Sequence, residues 1–205
     1  MSARGRNLGV LLSGRGSNLQ AILDAIREGR LDARVSVVVS NVASAGGLER
    51  AKNAGIPTAV LSHRDFAARE DFDAAIVARL REHDVDVVCL AGFMRILSPV
   101  LVRAFPNRVL NIHPSLLPAF IGLHAQRQAL EHGVKVSGCT VHLVDEELDH
   151  GPIVMQAAVP VEEGDSEETL SARILEREHE LYPKAIQLIL DGTVTIPGRR
   201  TRIAS

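Results

Sequence analysis

The sequence predicts an α/β protein with an open, mostly parallel, twisted sheet, helices on both faces and a mixed C-terminal extension. Two patterns favour this fold class. Up to residue 112, short apolar runs alternate with longer segments of helical periodicity, which is typical of strand–helix units on a parallel sheet. Beyond residue 112, two apolar runs are joined only by an acidic turn, which indicates an antiparallel or mixed addition to that sheet.

In the first half, each short apolar run is predicted to be a buried strand, and each amphipathic segment between runs a helix. Phe72, Ile76 and Leu80 recur at helical spacing and are expected to face the core. Ser98-Pro99 provides a cap and a first-turn proline for the last helix of this half. The predicted strands are 8–12, 35–39, 58–61, 85–90 and 109–112, and the other helices are 17–28, 47–54 and 69–83.

In the second half, one long segment of helical periodicity follows the strand pair. Pro183 lies inside that segment and should kink the helix, because proline cannot donate the backbone hydrogen bond. The basic tail 197–202 is expected to be disordered. The predicted elements are a helix at 124–132, strands at 137–144 and 153–161, and the long helix at 166–190.

Composition and charge exclude several classes of protein. Of the 205 residues, 46% are hydrophobic, which suffices for a core without disulfides, and the net charge of -2 argues against a nucleic-acid binder. Cys89 and Cys139 lie in apolar runs, as expected of reduced, buried thiols in the cytosol. We find neither a signal-peptide pattern nor 18 consecutive apolar residues, so we expect a cytoplasmic protein without a membrane span. We also expect a monomer or a homodimer.

A glycine-containing turn, Ser13-Gly14-Arg15-Gly16-Ser17-Asn18, lies where the first strand passes into the first helix. Glycines let the backbone approach an anion, and the N–H groups at a helix start favour negative charge. The spacing fits neither a dinucleotide fingerprint nor a triphosphate loop. It is compatible with a site for one phosphate monoester, or with an ordinary turn in which Ser17 is the N-cap.

Asn111 and His113 end the fifth predicted strand, where open α/β sheets place their ligand sites. Because side chains alternate along a strand, the amide and the imidazole project from the same face. Pro114 and Pro118 are expected to hold the following loop in an extended shape. A histidine that only caps the strand through a hydrogen bond is the alternative, but the flanking asparagine favours a functional site.

Two further segments follow strands at this edge. In the acidic segment 144–152 most carboxylates suit a solvated turn, but Asp149 could point back at His113. The segment 91–97 (AGFMRIL) follows the fourth strand and suits either the core or the wall of a pocket for a flat aromatic ligand. Neither EF-hand spacing nor a zinc-like grouping of histidines occurs in the sequence, so we expect no metal.

With Asn111-x-His113, the SLLP segment 115–118 and Asp149 together, the chain resembles the folate-dependent formyltransferases over about residues 8–192. The segments 14–20 (GRGSNLQ) and 91–97 are more specific to the purine-biosynthesis branch of that family. The resemblance implies a Rossmann-like formyltransferase fold. It also implies transfer of the formyl group of 10-formyltetrahydrofolate, a cosubstrate, to the amine of phosphoribosylglycinamide on the route to IMP.

The resemblance implies a role for each matched residue. Asn111 and His113 would stabilise the oxyanion of a tetrahedral intermediate, with His113 as proton donor and Asp149 raising its pKa and helping to remove the amine proton. The residues implied to bind the ribonucleotide are Gly16, Ser17, Asn18, Gly122 and Glu178. Those implied to bind folate are Arg69, Met94, Arg95, Ile96, Leu97, Asn111, Asp145, Glu146, Glu147, Leu148 and Asp149.

We therefore expect one formyltransferase domain over 1–205. It comprises a phosphate-binding half (1–108), a catalytic and folate-binding half (109–192) and a tail (193–205). Ile121 stands where the family commonly has proline, and Leu175 where a polar residue often contacts substrate, so we expect weaker ribonucleotide binding. Alternatives are another folate-dependent N-formyltransferase acting on tRNA or a sugar nucleotide, a deformylase, or a catalytically silent folate-binding module. Retention of Asn111, His113 and Asp149 together argues against the last, and the length of the chain disfavours the others.

Overall fold

A computed structural model describes residues 5–204, so part of the N-terminal segment compared with signal peptides, and Ser205 of the tail, lie outside the described residues. Most predicted bounds agree with the structure to within two residues. The elements are β1 (Asn7–Leu12), α1 (Ser17–Arg27), β2 (Arg34–Ser40), α2 (Gly46–Asn53), β3 (Thr58–Val60), α3 (Arg69–Glu82), β4 (Val87–Leu90), α4 (Pro99–Ala104), β5 (Val109–His113), α5 (Ala125–Glu131), β6 (Val136–Leu143), β7 (Ile153–Pro160), α6 (Glu167–Asp191), β8 (Val194–Thr195) and β9 (Arg202–Ile203).

The predicted fold class is confirmed. Seven strands form one mixed sheet in the order β3-β2-β1-β4-β5-β6-β7. The pairs β1-β2, β1-β4 and β2-β3 are parallel, whereas β6 and β7 are antiparallel. The chain divides within β5 into two compact units, the first ending at Leu110 and the second beginning at Asn111.

The strand β1 is at the centre of the first unit, and all six of its residues are buried. The helix α1 buries Leu19 and Ile22. Phe72, Ile76 and Leu80 of α3 are at most 3% exposed, which confirms the face predicted for this helix. Burial of such apolar side chains contributes about 1.5–3 kcal/mol each, so these faces fix the strands that carry the site.

In the second unit, β6 and β7 pair with a register shift between Val141 and His142. Val141 is opposite Met155 and His142 is opposite Ile153, so the extra residue is Val154 of β7. The helix α6 begins at a capping box formed by Ser166 and Thr169 and continues through Pro183; the kink expected there stays a prediction. Cys139 of β6 is buried and unoxidised, and burial together with Glu178 raises the pKa of its thiol to about 12.

The prediction of a disordered tail is wrong. The strands β8 and β9 form a small antiparallel hairpin, in which the Ala204 N–H donates to the Thr193 carbonyl at 2.9 Å. The basic side chains misled the prediction, because Arg199 and Thr201 form hydrogen bonds to backbone carbonyls of the same unit. None of the helices within residues 5–204 combines the length and the apolarity that a membrane span requires.

Candidate active site

The imidazole of His113, at the end of β5, faces two oxygen atoms. Its Nε2 lies 2.8 Å from the Phe120 carbonyl oxygen, and its Nδ1 lies 3.4 Å from Oδ2 of Asp149. The side chains of His113 and Asp149 are only 6% and 8% exposed. Neither oxygen can donate a hydrogen bond, so both neighbours favour the ring that carries a proton on each nitrogen.

Asp149 reaches this ring from the acidic loop 144–152, the connection between β6 and β7. Its backbone has a positive φ of 49°, a conformation that aspartate tolerates better than most residues. Its Oδ2 accepts the Gly122 N–H at 2.8 Å, and its Oδ1 lies 3.4 Å from Nδ2 of Asn111. The structure thus brings together Asn111, His113 and Asp149, three residues that the sequence separates by up to 38 positions.

His142 also belongs to this group, and sequence reasoning missed it. Its Nε2 lies 3.1 Å from Asn111 Nδ2 and 3.7 Å from Asp149 Oδ1, and its side chain is 2% exposed. A signal was present, because Thr140 and His142 are polar residues at alternating positions near the end of an otherwise apolar run. Alternation places both side chains on one face of β6, but it does not show that this face meets Asn111.

Burial and neighbouring groups lower the pKa values of both His113 and Asp149. Burial lowers the pKa of His113 below its ordinary value; Asp149 and the Phe120 carbonyl act in the opposite direction but do not outweigh burial. Burial alone would raise the pKa of Asp149, but the rings of His142 and His113 and the Gly122 N–H lower it. Asp149 therefore acts to raise the pKa of His113, as expected, although desolvation of the ring outweighs this effect.

This arrangement can move a proton and stabilise a developing negative charge. A carboxylate beside an imidazole forms a coupled pair that can hold one proton on either partner. The amide of Asn111 and the imidazolium are hydrogen-bond donors in a site with little water, where such donors stabilise an oxyanion most effectively. The chemistry available is therefore acid–base catalysis at a carbonyl carbon.

The loop after His113 is folded into turns, so the prediction that two prolines keep it extended is wrong. Thr140 Oγ1 accepts the Leu117 N–H at 3.0 Å and donates to the Ser115 carbonyl at 2.7 Å. These bonds to β6 outweigh the extended preference of the prolines. The side-chain amide of Gln128 donates to the carbonyls of Ile121 and Leu123 at 3.1 and 3.0 Å. These two hydrogen bonds fix the backbone on either side of Gly122.

The remaining residues predicted for the second unit occupy different environments. Glu178 is 6% exposed on α6, where it acts on the thiol of Cys139, and Leu175 is half-buried one turn earlier. In the acidic loop Asp145 is half-buried, while Glu146, Glu147 and Leu148 are exposed. The Asp145 carboxylate accepts the Glu147 N–H at 3.0 Å and faces His150 Nδ1 at 2.7 Å, which shapes the loop from within.

In the first unit, the glycine turn has a different cap from the predicted one. Gly16, not Ser17, is the N-cap of α1, with φ 74° and no side-chain cap hydrogen bond. The interpretation of Ser17 as N-cap is therefore wrong, because glycine takes the left-handed conformation and lets the helix begin at Ser17, one residue earlier than a Ser17 cap would allow. The Gly14 carbonyl accepts the Gly47 N–H at 3.0 Å, so the turn is fixed against α2. The first N–H groups of an α-helix have no carbonyl four residues earlier to which they can donate, so the start of α1 suits an anion.

We expect Gly16→Ala to destabilise the protein by about 2–5 kcal/mol, from the left-handed backbone and overpacking together. A Cβ at Gly16 would lie 2.5 Å from the Gly47 Cα atom. Urea unfolding measures the difference. Gly14→Ala is the matched control, because a Cβ there meets no described heavy atom within 4 Å. Equal stability of the two variants would contradict the steric argument.

The residues of the first unit predicted to bind folate lie on the helix α3 and on the segment 94–97. Two contacts hold these parts of the chain together. Ser98 donates its backbone N–H to Asp73 of α3, and the rings of Phe72 and Phe93 stack with centroids 6.4 Å apart. These contacts bring the start of α3, where Arg69 is exposed, beside the segment 94–97. Met94, Arg95 and Ile96 are exposed and Leu97 is buried. The Met94 N–H donates to Ser13 Oγ at 2.8 Å, which joins this segment to the glycine turn.

Comparison with known proteins assigns the chain to a family. Residues 6–186 match the model of the formyl transferase family. The chain belongs to the formyl transferases. It is 50% identical to phosphoribosylglycinamide formyltransferase of Escherichia coli K12 over 91% of this chain and 88% of that protein. The crystal structure of glycinamide ribonucleotide transformylase 1 from Symbiobacterium toebii matches with a TM-score of 0.96 and 57% identity, over 98% of this chain and 95% of that chain.

A larger protein also contains a matching segment. The human trifunctional purine biosynthetic protein adenosine-3 is 52% identical over 91% of this formyl transferase chain. The chain spans only 18% of the length of that protein.

Within each unit of this formyl transferase, the structure brings predicted residues together. These are Asn111, His113 and Asp149 in the second unit, and the glycine turn with the segment 94–97 in the first. Residues 5–204 contain no group of three histidine, cysteine or acidic side chains arranged to hold a metal ion.

Proposed function

We propose that the chain transfers the formyl group of 10-formyltetrahydrofolate to the amine of phosphoribosylglycinamide, giving the formylated ribonucleotide and tetrahydrofolate, in purine biosynthesis. One observation carries the proposal: the buried His113 ring lies 3.4 Å from the Asp149 carboxylate, which in turn lies 3.4 Å from the Asn111 amide. Relatives of 50% and 57% identity, named for this reaction, support the choice of substrates.

The triad supplies the groups that such a transfer needs. The amine attacks the formyl carbon, and negative charge develops on the formyl oxygen. Asn111 Nδ2 and a ring N–H of His113 donate hydrogen bonds to that oxygen. The negative charge on the oxygen favours the protonated ring, which burial alone disfavours. Asp149 takes up the proton that the amine loses, directly or through water, and His113 gives a proton to the departing folate nitrogen. The low pKa of Asp149 keeps it an anion at neutral pH, as a proton acceptor must be.

The binding residues divide between the substrates. The first turn of α1, with Gly16, Ser17 and Asn18, offers backbone N–H groups to the ribonucleotide phosphate, and Gly122 and Glu178 contact the same substrate. Folate is bound by Arg69, by the segment 94–97 and by the acidic loop from Asp145 to Asp149. Both substrates are small molecules. We propose that the protein acts in the cytoplasm, as a monomer or a homodimer.

An absorbance assay tests the function directly. Purified protein is mixed with a 10-formyl folate and phosphoribosylglycinamide, and release of the deformylated folate is followed. We expect turnover that requires the ribonucleotide. Folate release without the ribonucleotide would point to a hydrolase. Folate binding without turnover would point to another acceptor or to a silent binding module.

Ser17→Asp tests the phosphate site. Ser17 is the first residue of α1, where a carboxylate would compete with the phosphate for the same N–H groups. We expect KM for the ribonucleotide to rise at least about tenfold, because one unfavourable charge contact of about 1.4 kcal/mol suffices for that change. KM for the folate should change less than twofold. Ser17→Asn is the neutral control, and equal loss for both substrates would place the phosphate elsewhere.

A further inference from the structure

The hairpin of β8 and β9 contacts the acidic loop that carries Asp149. We propose that Arg199, in the turn of this hairpin, is a positioning residue for formyl transfer: through His150 it holds the loop 144–152 in the conformation that presents Asp149 to His113. The expected effect of Arg199 on the rate of formyl transfer rests on the proposed function. Its expected effect on the conformation of the loop 144–152 does not depend on the reaction. Arg199 lies beyond the segment 6–186 that matches the formyl transferase family model.

Two donors of one guanidinium meet one residue of the loop. Nη1 of Arg199 contacts Nε2 of His150, and Nη2 donates to the His150 carbonyl at 2.9 Å. Thr201, two residues along the hairpin, donates its hydroxyl to the Ile153 carbonyl at 2.6 Å. The hairpin thus forms hydrogen bonds with the last part of the loop and with the first residue of β7. A planar, two-pronged donor fixes its acceptors in direction as well as in distance.

The ring of His150 transmits this contact across the loop. A guanidinium only donates, so Nε2 of His150 accepts and the ring hydrogen lies on Nδ1. That Nδ1 lies 2.7 Å from Oδ2 of Asp145, at the other end of the loop. Asp145, His150 and Arg199 therefore form a chain of polar contacts from the first residues of the loop to the hairpin.

Apart from Asp149, whose carboxylate meets Gly122 and His113, the middle of the loop is exposed to solvent. Glu146, Glu147 and Leu148 are exposed, and Leu148 is a large apolar residue with 46% of its surface accessible. Gly151 packs so closely that a Cβ there would lie 1.9 Å from the Leu143 carbonyl oxygen, so the far end of the loop is fixed sterically. Asp149 lies between these regions, next to His150. Loss of the Arg199 contact should therefore loosen residues 145–150 and misplace the Asp149 carboxylate.

Kinetics of Arg199→Ala, with Arg200→Ala as matched control, test the consequence. Arg200 is an exposed arginine in the same turn. We expect Arg199→Ala to lower kcat/KM for the 10-formyl folate about three- to tenfold, the effect of one lost hydrogen-bonded contact, with less than twofold change in KM for the ribonucleotide. Arg200→Ala should match the wild type. Arg199→Lys should resemble Arg199→Ala, because an ammonium cannot reproduce the fork; full rescue by lysine would contradict the paired contact.

Hydrogen exchange followed by mass spectrometry tests the structural part without substrates. In Arg199→Ala, and equally in His150→Ala, we expect faster exchange of amides 145–150 and unchanged exchange in β1 and α1. The double variant should be no faster than either single variant, because both remove the same contact. Unchanged exchange in Arg199→Ala would overturn the inference. Absence of turnover by the wild type would instead refute the proposed function and leave the exchange result to stand.

Discussion

His113→Ala is expected to reduce kcat about 10²–10⁴-fold, the usual loss when a positioned acid is removed. The variant loses the proton donor and one of the two donors to the developing oxyanion. It retains the strand that carries residue 113, because burial of Leu110 and Ile112 on β5 does not depend on the imidazole. Single-turnover measurements with both substrates bound would isolate the chemical step from binding.

A matched control separates the loss of this imidazole from the loss of any imidazole. His83, half-buried at the end of α3 in the first unit, can be replaced by alanine in the same way. We expect His83→Ala to keep wild-type kcat. Near-normal turnover of His113→Ala in a folded protein would contradict the proposed mechanism.

Asp149→Asn is expected to lower kcat about 10²–10³-fold and to move the pH profile. The substitution keeps the size of the side chain and an oxygen that can accept the Gly122 N–H, but it removes the charge. Asp149 acts to raise the pKa of His113 against the effect of burial. Without the anion the pKa of His113 falls further, so the protonated ring is lost at a lower pH than in the wild type.

The measurement is kcat from pH 5 to 9 for wild type and variant. We expect the limb that reflects His113 to move to lower pH in Asp149→Asn. Asp84→Asn is the control, because Asp84 has nearly the same left-handed backbone, φ 50° against 49°, but is exposed at the end of α3. An unchanged profile in Asp149→Asn would exclude Asp149 from the proton path.

His113 and Asp149 differ in how much of their placement the local sequence pattern predicts. Asn111 and His113 lie two residues apart on a strand, so their shared face follows from alternation alone. Asp149 lies 36 positions beyond His113, and its approach depends on a left-handed residue and a hydrogen bond from Gly122. Family resemblance suggested Asp149, but no spacing rule predicts that contact. Its lowered pKa likewise arises from neighbours that only the folded chain assembles.

Long-range contacts also explain the errors. The loop after Pro114 is folded by Thr140, which lies 25 positions from Ser115 in the sequence, so the local preference of proline does not decide its shape. The tail is ordered by bonds from Arg199 to His150, 49 positions away, although its composition resembles that of a disordered segment. His142 was overlooked because its contact with Asn111, 31 positions away in the sequence, arises only in the folded chain.

The local sequence pattern was enough to predict the strands, the helices and the fold class. The spacing of apolar residues and the glycines that end helices depend only on neighbours a few residues apart. Residue motifs were also enough to suggest the family, since Asn111, His113 and the SLLP segment lie close together in sequence. Tertiary structure alone decided the cap at Gly16, the place of His142, the order of the tail and the balance that lowers the pKa of His113. Each of these depends on burial or on contacts between distant segments, which arise only when the chain is folded.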